Sequence, residues 1–186
     1  VVAFEVAQAL HLPLDAFLVR KLGVPGQREL AMGAIASGGA LVANYDLMQS
    51  LQVSYEDFEQ VLSAEQQELE RRDRHYHPAH ATHQQLHLST HSPDTIILVD
   101  DGIATGSTLQ AALLALNHYA IPHKVIAVPV APPTICDRLM QQGYEVVCLH
   151  MPDDLQSIGR WYLNFSQTTD DEVCALLDRA RAAILH

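Results

Sequence analysis

Thr95-Ile96-Ile97-Leu98-Val99-Asp100-Asp101-Gly102-Ile103-Ala104-Thr105-Gly106-Ser107-Thr108, followed by the apolar run Leu109 to Leu116, reads as strand, anionic turn and helix. Ile96 to Val99 are consecutive apolar residues with β-branched members, which suits a strand buried on both faces. The abrupt change to two carboxylates opens the carboxyl end of that strand into a site. Beyond them, Gly102 and Gly106 share the turn with the hydroxyls of Thr105, Ser107 and Thr108. Glycine lets successive peptide N–H groups converge, hydroxyls add donors, and the amino end of the next helix adds partial positive charge. The turn is therefore predicted to cradle a phosphate. Neither GxxxxGK[ST] nor GxGxxG occurs in this stretch, which argues against a nucleoside triphosphate loop or a dinucleotide loop.

Adjacent acids beside an anion repel it unless a cation or hydroxyl donors intervene. Vicinal sugar hydroxyls can donate to Asp100 and Asp101, and Mg²⁺, a hard oxygen-seeking ion, can share the remaining charge. The implied ligand is a ribose 5-phosphate.

The chain of 186 residues is long enough for one α/β domain and short for two independent ones. Eleven Lys and Arg against 22 Asp and Glu give a net charge of −11, which disfavours nucleic acid or an anionic membrane as partner. Any anionic substrate must be held by local donors and a metal. Cys136, Cys148 and Cys174 are odd in number and form no CxxC pair, which speaks against a disulfide framework or a zinc site. No apolar run reaches the length of a membrane span and no charged-then-apolar leader precedes the domain, so a cytoplasmic protein is expected. The chain starts Val1-Val2-Ala3, which suggests a fragment or internal numbering.

Along the chain, Ala3 to Leu10 has the spacing of a helix with no cap in view. Leu14 to Leu22 is a strand candidate that ends at Arg20-Lys21, a basic pair that is either a solvated tip or an anion ligand. Met32 to Asn44, rich in glycine and small apolar residues, suits a hairpin. Ser54, with Asp57 three residues on, opens a largely polar helix to about Tyr76, whose narrow stripe is Tyr55, Phe58, Val61, Leu62 and Leu69. Arg71, Arg72 and Arg74 near its end suit the helix dipole better than a phosphate clamp. His75, His77, His80, His83, His87 and His91 crowd a polar, turn-like segment whose spacings fix no helical face, so a solvated linker is expected there rather than a metal site. After the signature helix, Lys124 to Val130 is a strand, Pro132-Pro133 opens a helix to Gln142, and Tyr144 to Leu149 is a further strand. That alternation predicts a parallel, doubly wound sheet. Trp161, Tyr162 and Phe165 are expected to seal the edge of the core, with base stacking the lesser alternative. Thr169 to Glu172 is a capping box that opens a last helix to about Leu185.

Ile96 to Thr108 resembles the phosphoribosyl-diphosphate (PRPP) signature of type I phosphoribosyltransferases, with four apolar residues, an acidic pair and a turn ending Thr-Gly-x-Thr; Gly102 stands where an aliphatic residue is usual. Arg20-Lys21-Leu22-Gly23-Val24-Pro25-Gly26 is similar to a purine-type segment in which the basic pair lies near pyrophosphate and the following loop closes over the site. Together with Glu29 to Gly39 and Trp161 to Thr168, these segments resemble a subgroup of uncharacterised bacterial phosphoribosyltransferase-domain proteins over most of the chain.

The resemblance implies one α/β domain over 1–186, with a mainly parallel sheet flanked by helices and residues 30–92 as a small helical and β hood, insert and linker. The family's upstream strand and pyrophosphate loop have no counterpart in this sequence. It further implies transfer of 5-phosphoribose from PRPP to a nitrogenous base or other amine, with Mg²⁺ as cofactor and a homodimer as the family's habit. Asp100, Asp101 and Lys21 would be catalytic, and Arg20, Ala104, Thr105, Gly106, Ser107 and Thr108 would bind substrate. Asp100 and Asp101 would meet the metal indirectly, with PRPP. Glu29 would lie in the flap, and Met151 to Trp161 would hold the acceptor. The alternative on the same fold is a regulatory protein that binds PRPP or a nucleotide without turnover. A haloacid-type phosphatase needs Asp-x-Asp, which adjacent acids do not supply.

Overall fold

In a computed structural model, which describes residues 1–37, 39–77, 93–117, 119 and 121–184 and omits the side chains of 28, 29 and 184, the chain forms two compact units. Val1–Ala16, Pro93–Gly106 and Ile121–His186 make the first; Phe17–Ser92 and Ser107–Ala120 make the second. In chain order the elements are α1 (Val2–Leu10), β1 (Val19–Val24), β2 (Gln27–Ala36), β3 (Ala40–Ala43), α2 (Tyr45–Ser50) and α3 (Tyr55–Tyr76). There follow β4 (Thr95–Val99), α4 (Ser107–Leu116), β5 (His123–Val130), α5 (Pro133–Gln141), β6 (Glu145–His150) and α6 (Asp170–Ile184).

The first unit is built on the parallel sheet β4-β5-β6, as the β/α alternation predicts, with α5 packed against β6. Ile126, Val130, Cys136 and Leu139 are its largest fully buried side chains among the described residues. The residues Ile96 to Val99 are only partly buried, against the expectation of burial on both faces, because β5 is the one strand paired with β4 among the described residues. Helices α1 and α6 pack together, and the Arg179 guanidinium lies 4.6 Å from the centre of the Phe4 ring. The capping box at α6 is reciprocal: Thr169 N–H donates to Glu172 Oε2 at 2.7 Å, and Glu172 N–H donates to Thr169 Oγ1 at 3.2 Å.

The second unit holds the antiparallel sheet β1-β2-β3. Pro25-Gly26 closes the first hairpin, with proline presetting one central residue and Gly26, at φ 77°, taking the other. Residues after Gly26, expected in a closing flap, instead start β2. The strand anticipated from Leu14 begins at Val19, where Ser37 ends the ladder: its N–H donates to the Leu18 carbonyl at 2.9 Å and its hydroxyl accepts from Leu18 N–H at 3.3 Å. One face buries Leu22, Val24, Met32 and Ile35 against Met48 of α2 and Phe58 and Leu69 of α3. Ala115 of α4 packs with Ala36 and Ala40, where small side chains let helix and hairpin approach closely.

Ser54 caps α3 by accepting from Asp57 N–H at 3.0 Å. Tyr55, expected in the apolar stripe, is 76% exposed. Arg71 and Arg72 both pair with Glu68. Those two hydrogen bonds, Arg71's first, hold the Glu68 carboxyl at about 2. His77 meets Asp73 at 3.2 Å, whereas His80, His83, His87 and His91 lie outside the described residues.

Leu22 is 0% exposed at the centre of the second unit's core. Leu22→Ala should therefore destabilise by about 2–5 kcal/mol, measured as a lower midpoint in chemical denaturation with little change in slope.

Candidate functional site

The three parallel strands end at one edge of their sheet, since Val99 lies opposite Ala127 and Val130 opposite His150. Two hydrogen bonds link the segments at these strand ends. Ile103 N–H donates to the Val130 carbonyl at 2.9 Å, and Ala131 N–H donates to the His150 carbonyl at 3.2 Å. The acidic turn is thus fastened to the end of β5, and the end of β5 to that of β6.

That fastening depends on Gly102. A Cβ there would lie 2.9 Å from Ile158 Cγ2 and 3.0 Å from the Val130 carbonyl oxygen. In this chain Ile158 fills the space that an aliphatic residue at position 102 would claim, which accounts for the departure from the resembled pattern. Tyr162 adds a second brace: its hydroxyl donates to the Asp101 carbonyl at 2.5 Å. Burial, and then the charges of Asp101 and Asp100, push that phenol above its ordinary value.

Asp100 Oδ1 accepts the N–H of Asp101 at 2.9 Å, which orders the pair. Asp100 is exposed, yet desolvation by the protein beside it raises its pKa, and the Asp101 charge adds to the rise. Desolvation likewise raises Asp101. Both carboxyls are thus shifted upward, the direction that a nearby cation or hydroxyl donors would oppose.

Past the acids, Ile103 turns into the core at 3% exposure while Ala104 and Thr105 stay exposed. Gly106 takes φ 79°, a left-handed conformation that glycine accepts without strain. Among the described residues, the amides of Ala104 and Gly106 meet no acceptor. The chain crosses into the second unit at Ser107, the first residue of α4, with Thr108 after it. Arg138, on α5, donates from its Nη2 to the Thr105 carbonyl at 3.3 Å. Sequence inspection does not single out Arg138, because nothing local to α5 indicates that its last turn reaches the acidic turn.

Lys21 and Arg20 lie on β1 in the second unit. Arg20 is engaged by Glu65 of α3, its Nε donating at 2.7 Å. No ion-pair partner of Lys21 occurs among the described residues. Glu29 is in β2, with its side chain outside the description.

The segment after β6 forms a cavity of about 290 Å³ lined by Asp154, Leu155, Gln156, Arg160 and Trp161. Trp161 does not seal the core. The 3-10 turn Ile158–Trp161 leaves its indole 45% exposed, stacked on His150 with ring centres 5.8 Å apart. Phe165 is 47% exposed, tilted against Tyr162. Cys136, Cys148 and Cys174 are free thiols, and burial pushes Cys136 up to about 11, which makes it a poor nucleophile. Among the described residues no three His, Cys, Asp or Glu side chains converge on a metal position, and no helix is long and apolar enough to cross a membrane.

A parallel sheet whose first strand runs into paired acids and a glycine turn fits the phosphoribosyltransferase-like α/β fold. No family model matches the chain. Two curated Mycobacterium tuberculosis proteins do: "Putative phosphoribosyl transferase MT0597" (strain CDC 1551 / Oshkosh) and "Putative phosphoribosyl transferase Rv0571c" (strain ATCC 25618 / H37Rv). Each is 41% identical over 179 residues, 96% of this chain, and the chain spans 39% of their length. The crystal structure of TT1426 from Thermus thermophilus superposes with a TM-score of 0.74 at 34% identity, covering 95% of this chain and 80% of that one. Over nearly its whole length the chain is thus similar to part of two proteins named as putative phosphoribosyl transferases.

Gly102→Val should lower the melting temperature by the equivalent of about 1–3 kcal/mol, since Val130 is backbone-fixed and cannot yield. A carboxyl raised in the folded state contributes stability that is complete below its unfolded value near 3.8 and lost as pH rises through the raised value. Asp100→Asn should accordingly raise the melting temperature at neutral pH, and its advantage over wild type should vanish in melts below pH 3.8.

Proposed function

We propose that the chain carries phosphoribosyl transfer, moving 5-phosphoribose from PRPP to the nitrogen of a base or other amine and releasing pyrophosphate. The observation that carries this reading is the conjunction of the adjacent Asp100 and Asp101 just past the end of β4 with amides at Ala104 and Gly106, a few residues further on, that meet no acceptor among the described residues. Asp100 and Asp101 would accept the ribose hydroxyls, and the 104–108 turn would anchor the 5′-phosphate through its amides and the hydroxyls of Thr105, Ser107 and Thr108. Lys21, and Arg20 if Glu65 releases it, would meet the pyrophosphate.

In the transfer, the nitrogen lone pair forms the new bond to C1 as the C1–oxygen bond breaks. Pyrophosphate leaves with that electron pair, and the nitrogen's proton passes to solvent or to the leaving group. Positioning and charge stabilisation dominate such a step, with little covalent work for the protein. Bound with PRPP, Mg²⁺ would neutralise charge on the pyrophosphate. Asp100 and Asp101 suit it, being oxygen donors whose mutual repulsion a hard cation relieves. An ion that draws most ligands from substrate and water needs no closed protein cage.

The cavity beside Trp161 supports an acceptor that stacks on the indole, with Asp154 and Arg160 as polar partners. The Arg20–Glu65 pair favours a second reading, a regulatory protein that binds PRPP or a nucleotide without turnover, because it occupies a cation that transfer would use. Pyrophosphate release from PRPP over a panel of purines, pyrimidines and other amines separates the two. Combining Asp100→Asn with Asp101→Asn should abolish calorimetric PRPP binding while the circular dichroism spectrum is kept; unchanged affinity would rule out both readings.

A further inference from the structure

The Arg138 guanidinium is placed for more than the end of its helix. A basic residue in the last turn of α5 complements the helix dipole, and any lysine would serve that purpose. Arg138 instead reaches across 33 positions of sequence to hold the Thr105 carbonyl with one Nη2–H. The same nitrogen lies 3.3 Å from where a Cβ on Gly106 would stand, so glycine at 106 leaves room for the guanidinium as well as adopting its left-handed backbone. The side chain is exposed, and among the described residues no carboxylate pairs with it. Four of its five N–H donors are thus uncommitted, on a turn whose Ala104 and Gly106 amides also lack acceptors.

With a net charge of −11 the chain's overall field repels anions, so a phosphate on this turn needs a local cation. Planar guanidinium donors match phosphate oxygens, and the match is strongest for the dianion of a monoester.

We infer that Arg138 is a direct ligand of the 5′-phosphate and the residue that selects a dianionic monoester at this turn. The inference rests on the phosphoribosyl reading above. It is tested by calorimetry with two probes, ribose 5-phosphate and its monoanionic methyl phosphate ester, on wild type, Arg138→Met and Arg138→Lys, with melting temperatures alongside.

Arg138→Met should weaken ribose 5-phosphate by about tenfold or more, weaken the methyl ester much less, and leave the melting temperature close to wild type. Arg138→Lys, which keeps the charge and loses the planar fork, should fall between. Equal affinity for ribose 5-phosphate in wild type and Arg138→Met overturns the inference. Equal weakening of both probes also overturns it, because that is the result of a residue that only braces Thr105. Should Arg138→Met unfold, Arg138→Lys decides, and wild-type discrimination between the probes in that variant counts against the ligand role. If wild type itself ignores ribose 5-phosphate, the phosphoribosyl reading falls, and this inference with it.

Discussion

The peptide at Gly102 lies against the last residue of β5, and the organisation of the site follows from that contact. With no side chain at 102, Ile103 can donate to the Val130 carbonyl and bury its own side chain, which turns the following residues outward. Ile158 comes close enough to fill the remaining gap, bringing the segment after β6 against the acidic turn. Tyr162, four residues on, can then reach the Asp101 carbonyl. Val130, Ile158 and Tyr162 thus help to fix the turn, and such fixing is what a pre-formed binding turn requires.

The same turn is electrostatically expensive. Desolvation raises both carboxyls and the Asp101 charge adds to the rise at Asp100, while the Arg138 guanidinium, which reaches this turn, is bonded to a carbonyl rather than to either acid. The fold bears this because its stability comes from elsewhere: the Leu22–Met32–Phe58 core of the second unit and the interior of the first, from Ile126 to Leu139. Concentrating an unfavourable arrangement at a braced, polar edge is the usual relation between a stable scaffold and a working site.

In the second unit the basic pair of β1 is split by its surroundings. Arg20 and Lys21 are neighbours in sequence, but successive residues of a strand point to opposite faces, and only Arg20 finds the Glu65 carboxylate of α3. Equivalent residue types on one strand therefore meet different surroundings. The arginines of α3 tell a simpler story, since helical spacing brings Arg71 and Arg72 onto Glu68 within a single turn.

Local patterns decided most of the elements by themselves. Periodicity, caps and apolar runs located α3, α4, α5 and α6, and short apolar runs located β4, β5 and β6, because these signals act over a few residues and need no partner. Other features were beyond such signals. Half-burial of β4, the Glu65 pairing of Arg20, and the approach of Arg138 and Tyr162 to the acidic turn each depend on a segment tens of residues away. Composition and spacing say which groups a chain possesses; which of them meet is settled only when distant segments pack, since contact between them is a property of the folded backbone and of the space each side chain leaves to its neighbour.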